Sequence, residues 1–426
     1  MSIGRAFIHI ALAIAATAGL LSVAAPHSVA AQPTEVLIGG VYPLSGPTAP
    51  AGKDQREGIE MALDIINGSY DLPLPFAKSQ GIPNLGNARL RYIFSDHQGQ
   101  PEKAFSETER LISVEKVSAI QGAYQSSCAA TASQASERLL VPFIADTGTS
   151  TTLHRRGFKY FFRIAPHEGQ YAENFFNYIK EIDTQRGKRT ASVGLVWENT
   201  LYGRDVGTED RKWAEKYGYP VVADISYTDR TTDVTSEVQQ IKRANPRIIL
   251  HGSYVSDALL FLRTYKELEV NPDMIFGHAS GFVNEAFVRE LGKDADGVLV
   301  WEIWSLDLAG KQPLVATVND LFRKKYGRNM NGHIATAFTA AFVLADAINR
   351  AGSTDPVAIE KELRKTSIAG KDTIMPWKGI SFDENGENTQ SSGLICQIQK
   401  GEYRIVWPTA FKAVDVLWPL PRWAER

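Results

Sequence analysis

The sequence predicts an α/β protein made of two successive doubly wound domains. Three observations carry that prediction. Short apolar runs alternate with amphipathic stretches from Glu35 onward, the pattern of right-handed βαβ units on a parallel sheet. The same rhythm restarts after Arg163. At 426 residues, 44% hydrophobic and 22% charged, the chain is too long for one ordinary domain and too apolar to stay disordered.

In the first block, Val36–Tyr42 reads as a buried strand. Gly52–Asn67 reads as a helix, with Ile59, Leu63 and Ile66 on one face. Strands follow at Leu90–Phe94, Val117–Gln121 and Val141–Ala145, with helices at Pro101–Glu115 and Ser127–Glu137 between them. Proline at the first helical position opens the first of these two helices. In the second block, strands are expected at Ala191–Trp197, Val221–Ser226, Ile248–Leu250 and Met274–Phe276. Helices are expected at Tyr202–Tyr217, Val234–Ala244 and Asp257–Leu268. A third block carries helices at Pro313–Tyr326, Ile334–Ala351 and Pro356–Lys365. A hairpin, Leu394–Gln399 and Tyr403–Trp407, turns at Lys400-Gly401. The Pro- and Gly-rich stretch Asn67–Asn87 reads as a surface loop, and the tail from Thr409 as irregular packing.

Residues 1–31 have the layout of a secretory signal: Arg5, an apolar run from Phe7 to about Ala25, and small residues at Val29-Ala30-Ala31. The competing reading is a membrane anchor. No cysteine stands near the cleavage point to carry a lipid, and no later segment reads as long and apolar enough to span a membrane. The expected product begins near Gln32, is a monomer and resides in the periplasm.

Charge and motifs narrow the function. Lys plus Arg number 46 against 48 acidic residues, a net charge of −2, so a nucleic-acid-coating role is not expected. Two cysteines make neither a disulfide scaffold nor a thiolate metal cluster. There is no G-x-S-x-G, H-E-x-x-H or P-loop motif, so no catalytic residue, cofactor or metal site is expected. Ligands of open α/β sheets bind beyond the carboxyl ends of the strands. Four segments fall there: Tyr42–Pro47, Gly122–Cys128, Asp146–Ser150 and Asn199–Gly203. Ser126 and Ser127 stand where a helix begins, beside the hydroxyl-rich Thr147-Gly148-Thr149-Ser150. Free N–H groups and the positive helix end there suit a carboxylate. The plainer reading is that Ser126 caps its helix and Thr149 makes a turn.

Residue patterns over Glu35–Trp407 resemble the leucine/isoleucine/valine-binding family of periplasmic solute-binding proteins, the type I binding proteins of ATP-driven importers. The resemblance is carried by VLIGGVYPLSGPTAPAG (36–52), GIEMALDIIN (58–67), Ser95-Asp96 with Gln100–Ala104, and Gly122 with Ser126-Ser127. GFKYFFR (157–163), Tyr202-Gly203, Ser226-Tyr227, Thr232-Asp233, Ala244-Asn245-Pro246 and Leu262-Arg263 extend it. It implies two doubly wound parallel-sheet lobes joined by a three-strand hinge, with crossings near 163–166, 302–306 and 381–392. The first lobe would take residues 32–165 and 304–390. The second would take 166–303 and a return hairpin at 391–408, leaving 409–426 as a tail.

The resemblance also implies a binding role without catalysis. A small carboxylate, an amino acid of branched-chain type or a related acid, would be enclosed between the lobes and delivered to a membrane permease. The family's carboxylate-binding hydroxyls match Ser126 and Thr149, and a carbonyl at the ligand ammonium matches Thr147. Tyr202 and Tyr254 match tyrosines that cover the ligand from the second lobe. The family's ammonium-binding acid aligns with Ser280, and a bulky aromatic of the pocket wall aligns with Ala51. These departures keep open an aromatic or other carboxylic acid without an ammonium. Asp146, Glu198 and Asp257 are the acids considered as replacements. An exported α/β enzyme and a sensory ligand-binding module are the alternatives of other classes. Cys128 and Cys396 are expected to remain unbonded to each other.

Overall fold

A computed structural model describes residues 33–187, 189 and 192–426. The expected export signal and Ala191 lie outside the described residues. The chain begins with β1 (Glu35–Tyr42), α1 (Ala49–Asn67), β2 (Arg89–Asp96), α2 (Pro101–Ser113) and β3 (Ala119–Gly122). It continues with α3 (Ser126–Arg138), β4 (Phe143–Ala145) and β5 (Phe161–Arg163). These strands form one all-parallel sheet in the order β2-β1-β3-β4-β5. The reversal of direction lies between β1 and β3, the switch point of a doubly wound sheet.

After β5 the chain passes to a second sheet. Here follow α4 (Glu168–Arg186), β6 (Val193–Glu198), α5 (Leu201–Tyr217), β7 (Val221–Tyr227) and α6 (Thr235–Ala244). Then come β8 (Ile248–Gly252), α7 (Val255–Glu267), β9 (Met274–Gly277), α8 (Glu285–Leu291) and β10 (Leu299–Glu302). Helices α9 (Pro313–Tyr326), α10 (Gly332–Ala351) and α11 (Pro356–Arg364) return to the first lobe. A small antiparallel pair follows, β11 (Ser367–Ala369) with β12 (Gly379–Ser381). The hairpin of β13 (Leu394–Gln399) and β14 (Glu402–Trp407) then completes the second sheet, in the order β7-β6-β8-β9-β10-β13-β14. Its first five strands repeat the winding of the first sheet, and β13 joins β10 antiparallel.

The alternation read from the sequence is therefore the architecture, and both cysteines are free and buried. Three expectations change. Helix α10 is long and apolar enough to cross a membrane, with a mean hydropathy of 1.2. It is instead a core helix, mostly buried and packed against α1. The two backbones touch: a Cβ on Gly58 would lie 2.3 Å from the Ile334 carbonyl oxygen. The stretch 67–87 has few regular elements but is not merely surface, because Leu74, Ala77, Ile82 and Leu85 enter the core. Its turns are closed by an Ile82–Ala88 bridge and by Asn84 on the end of α10. Finally, α4, β5 and β10 extend the pattern beyond the elements foreseen. The tail does pack irregularly, with Trp423 Nε1 donating to the Val270 carbonyl at 2.7 Å.

The crossings are tied together. Arg163, at the end of β5, is fully buried. It donates to Glu387 from Nε at 3.1 Å and from Nη2 at 2.5 Å. Its Nη1 donates to the carbonyls of Gly148 and Ser150 at 2.9 and 2.7 Å. Asn388 Nδ2 donates to the Ile164 carbonyl at 3.0 Å, which joins two crossing segments.

Candidate functional site

A narrow cavity lies at the carboxyl ends of both sheets. The first lobe contributes Tyr124 and Ser126 after β3 and Thr147–Thr149 after β4. The second contributes Tyr202 after β6, Tyr254 after β8 and Ala279-Ser280 after β9. Tyr171 of α4, Glu302 at the end of β10, and Gly332-His333 at the start of α10 complete the wall. Ser126, Thr147, Thr149, Tyr202, Tyr254 and Ser280, more than 150 positions apart at the extremes, thus share one cavity. Ala51 is buried in α1 and does not line it.

Each hydroxyl has a definite setting. Ser126 is the first residue of α3 and does not cap it; Gln125 occupies the cap position. The Ser126 Oγ accepts the backbone N–H of Ser150 at 3.2 Å, which leaves its own proton to donate elsewhere. The Thr147 hydroxyl is committed inside the first lobe. It accepts from Gln55 at 2.9 Å and donates to Asp146 at 3.2 Å. Thr149 is less buried, and its side chain also bonds to Glu168, the first residue of α4.

The rings close the cavity. Tyr202 donates to the His278 carbonyl at 2.7 Å, and its ring centroid lies 5.4 Å from that of Tyr254. Tyr254 stands 5.7 Å from Tyr124 of the opposite lobe, and Tyr124 meets His333 edge-on at 5.3 Å. The Tyr124 hydroxyl and Ser280 Oγ are 3.3 Å apart, a polar contact across the cleft. Three of these positions are backbone outliers: Tyr124, Ala279 and Ser280 have φ of 67°, 29° and 45°. Non-glycine residues held there are strained, and such strain concentrates at ligand sites. Further cross-cleft bonds run from Ser150, Thr151 and Thr152 to Asp205 of α5.

None of the acids considered from the sequence lines the cavity. Asp146 is turned into the first lobe, where Tyr42, Gln55 and Gln121 donate to it at 2.5, 2.9 and 3.0 Å. Burial lifts its carboxyl to about 6 against those bonds. Glu198 accepts the Tyr254 N–H at 3.0 Å and the Thr200 hydroxyl at 2.8 Å, and burial lifts it to about 8. Asp257 accepts the Arg230 N–H at 2.9 Å. The acid on the cavity wall is Glu302, which the sequence did not single out. Tyr171, Tyr124 and His333 are likewise additions to the expected set. Tyr171 was within reach, because Tyr171, Phe175, Tyr178 and Ile182 carry helical spacing. Behind Ser280, the fully buried His278 sits between Asp210 at 2.8 Å and Glu168 at 3.2 Å. Burial alone would lower its pKa, but the two carboxylates lift it to about 9.

The sequence model of a family described as "Periplasmic binding protein" matches residues 35–402. The "Leu/Ile/Val-binding protein homolog 7" of Brucella suis biovar 1 is 27% identical over 423 residues, covering 96% of this chain and 98% of the relative. The "Leu/Ile/Val-binding protein homolog 8" of Brucella abortus is 26% identical over 384 residues, covering 88% and 91%. Among solved structures, the branched-chain amino acid transporter substrate-binding protein LivJ of Streptococcus pneumoniae, in complex with isoleucine, superposes with a TM-score of 0.75. The match has 21% identity and covers 90% of this chain and 100% of that one. The leucine-binding protein LivK of Thermotoga maritima gives 0.73 at 21% identity, covering 87% and 97%. At these identities the two structures speak to the fold alone.

Proposed function

The chain belongs to the periplasmic binding protein family, and from that premise we propose that it is the solute receptor of an ATP-driven importer. Its ligand is a small α-amino acid of branched-chain type, enclosed between the lobes and handed to a membrane permease. The observation that carries this reading is the convergence of hydroxyls from one lobe and tyrosines from the other on a single cavity. The hydroxyl at Ser126, poised to donate beside the start of α3, suits a carboxylate. Tyr202 and Tyr254 cover the apolar part of the ligand. Binding energy goes into holding the lobes closed, since a ligand touching both lobes favours the form in which they meet. Export by the 1–31 segment would place the receptor in the periplasm, where a ligand-loaded monomer can meet the permease.

Calorimetric titration of the purified chain with leucine, isoleucine and valine tests this. Saturable one-to-one binding, weakened in Ser126→Ala, is the expected result. Binding of aromatic or aliphatic acids in preference to any amino acid would keep the receptor role and change the ligand class. Heat with neither class would overturn the proposal.

A further inference from the structure

Resting on the receptor reading above, we infer that Glu302 is the carboxylate that takes the ligand's ammonium group, replacing an acid at the position of Ser280. Glu302 is 3% exposed and ends β10, where the chain leaves the second sheet. Its Oε2 accepts the Ile303 N–H at 3.2 Å, the Trp304 N–H also bonds to the carboxylate, and no lysine or arginine stands on the cavity wall to neutralise it. A buried carboxylate without a cation is costly, so the ligand-free site keeps this acid protonated, and a ligand that brings a cation can take the proton's place.

The surroundings keep that carboxylate reachable. A Cβ on Gly332 would lie 2.6 Å from Oε2, so any side chain there would intrude on the acid. Beside it, the His333 Nδ1 is buried and has no hydrogen-bond partner among the described residues, a second polar atom on the same wall. Glu302 also borders a neighbouring cavity lined by Ser305, Asn329, Asn331 and Arg404, whose Arg404 is already paired with Asp307. The other acids near the cleft are committed to internal donors, as described for Asp146, Glu198 and Asp257.

Burial lifts the Glu302 carboxyl to about 8, so accepting an ammonium near neutral pH expels a proton. The titratable groups packed around it do not interfere. Burial pushes Tyr171, Tyr403 and Cys396 well above their ordinary values and holds His333 down at about 4.

The test is calorimetric titration at pH 6.5 in two buffers of different ionisation enthalpy. Leucine, valine and phenylalanine are each compared with the acid of the same skeleton lacking the ammonium. Wild type should bind at least one amino acid with proton release. Glu302→Gln should weaken that binding roughly thirtyfold or more, abolish the proton release and leave the matched ammonium-free acid within a few-fold. Ser126→Ala should weaken both members of the pair. Equal losses for both compounds in Glu302→Gln, no loss at all, or amino-acid binding by wild type without proton release would overturn the inference while the Ser126 result upholds the receptor reading. A wild-type protein that binds none of these compounds would overturn both.

Discussion

In the proposed receptor Ser126 has two partners to satisfy, a backbone donor and a ligand. Its Oγ accepts the Ser150 N–H, and both residues are buried. Ser126→Ala should therefore cost about 1–3 kcal/mol of stability, because the Ser150 N–H loses its acceptor. It should also weaken carboxylate binding roughly ten- to a hundredfold, since a hydrogen bond to a charged group contributes about 1.5–3 kcal/mol. Melting curves and titrations of the same variant separate the two effects. A stability loss with unchanged affinity would return Ser126 to a purely structural role. His278 gives a second residue-scale expectation. Its folded pKa, about 9, exceeds the ordinary value near 6.5. Its contribution is thus fully present below about pH 6.5 and is lost as pH rises through 9. His278→Gln should flatten that alkaline limb in urea melts taken across pH 6–9. An unchanged limb would show that the pair with Asp210 and Glu168 is not what titrates. At this scale the sequence was readable where chemistry was local. Hydroxyls clustered after two strands stand out in a linear string. Glu302 and His333 do not, because neither is near a hydroxyl cluster and only the second passage between lobes brings them together.

Among elements, the crossing after β5 shows how the hinge and the site share one support. Arg163 holds the carbonyls of Gly148 and Ser150, so the hydroxyl loop hangs from the same guanidinium that grips Glu387. Burial would raise the Glu387 carboxyl, but Arg163 and His154 hold it at about 2. That depressed value means the pair's contribution is present above about pH 4.5 and is lost as pH falls toward 2, on the order of 3 kcal/mol in all. Arg163→Met would strand a mostly buried carboxylate and should destabilise the chain by about 3–5 kcal/mol. It should also lower ligand affinity, because residues 148–150 lose their anchor. Urea unfolding from pH 7 down toward about pH 2.5 checks this: the variant's deficit relative to wild type should shrink as pH falls toward 2, and an equal deficit throughout would contradict the ion-pair account. Strands β1, β2 and β3 were legible because their apolar runs are several residues long. The three-residue β5 offers too short a pattern to distinguish from a loop, and its identity as a strand comes from pairing with β4. Helix α10 is more apolar than the sequence reading allowed. Its composition suits a membrane, and only its packing on α1 shows that it is a core helix.

For the whole molecule, two sheets of the same winding face their carboxyl ends toward one cavity, and three crossings join them. The repeat of the strand–helix rhythm made the two-sheet arrangement readable. The return of the chain to each lobe was expected only by resemblance, because such long-range order leaves little trace in local periodicity. The cross-cleft contacts of Tyr124 with Ser280 and of residues 150–152 with Asp205 are what a ligand touching both lobes would reinforce. The central claim is that a small α-amino acid is captured there, at Ser126 and beneath Tyr202 and Tyr254. Thermal melting with millimolar leucine, isoleucine or valine tests it most directly, since a ligand at about a hundred times its Kd adds about 2.7 kcal/mol to the native state. A rise of several degrees with at least one of them, lost in Ser126→Ala at the same concentration, is the predicted result; melting that no amino acid shifts, or a shift that Ser126→Ala retains in full, would contradict it.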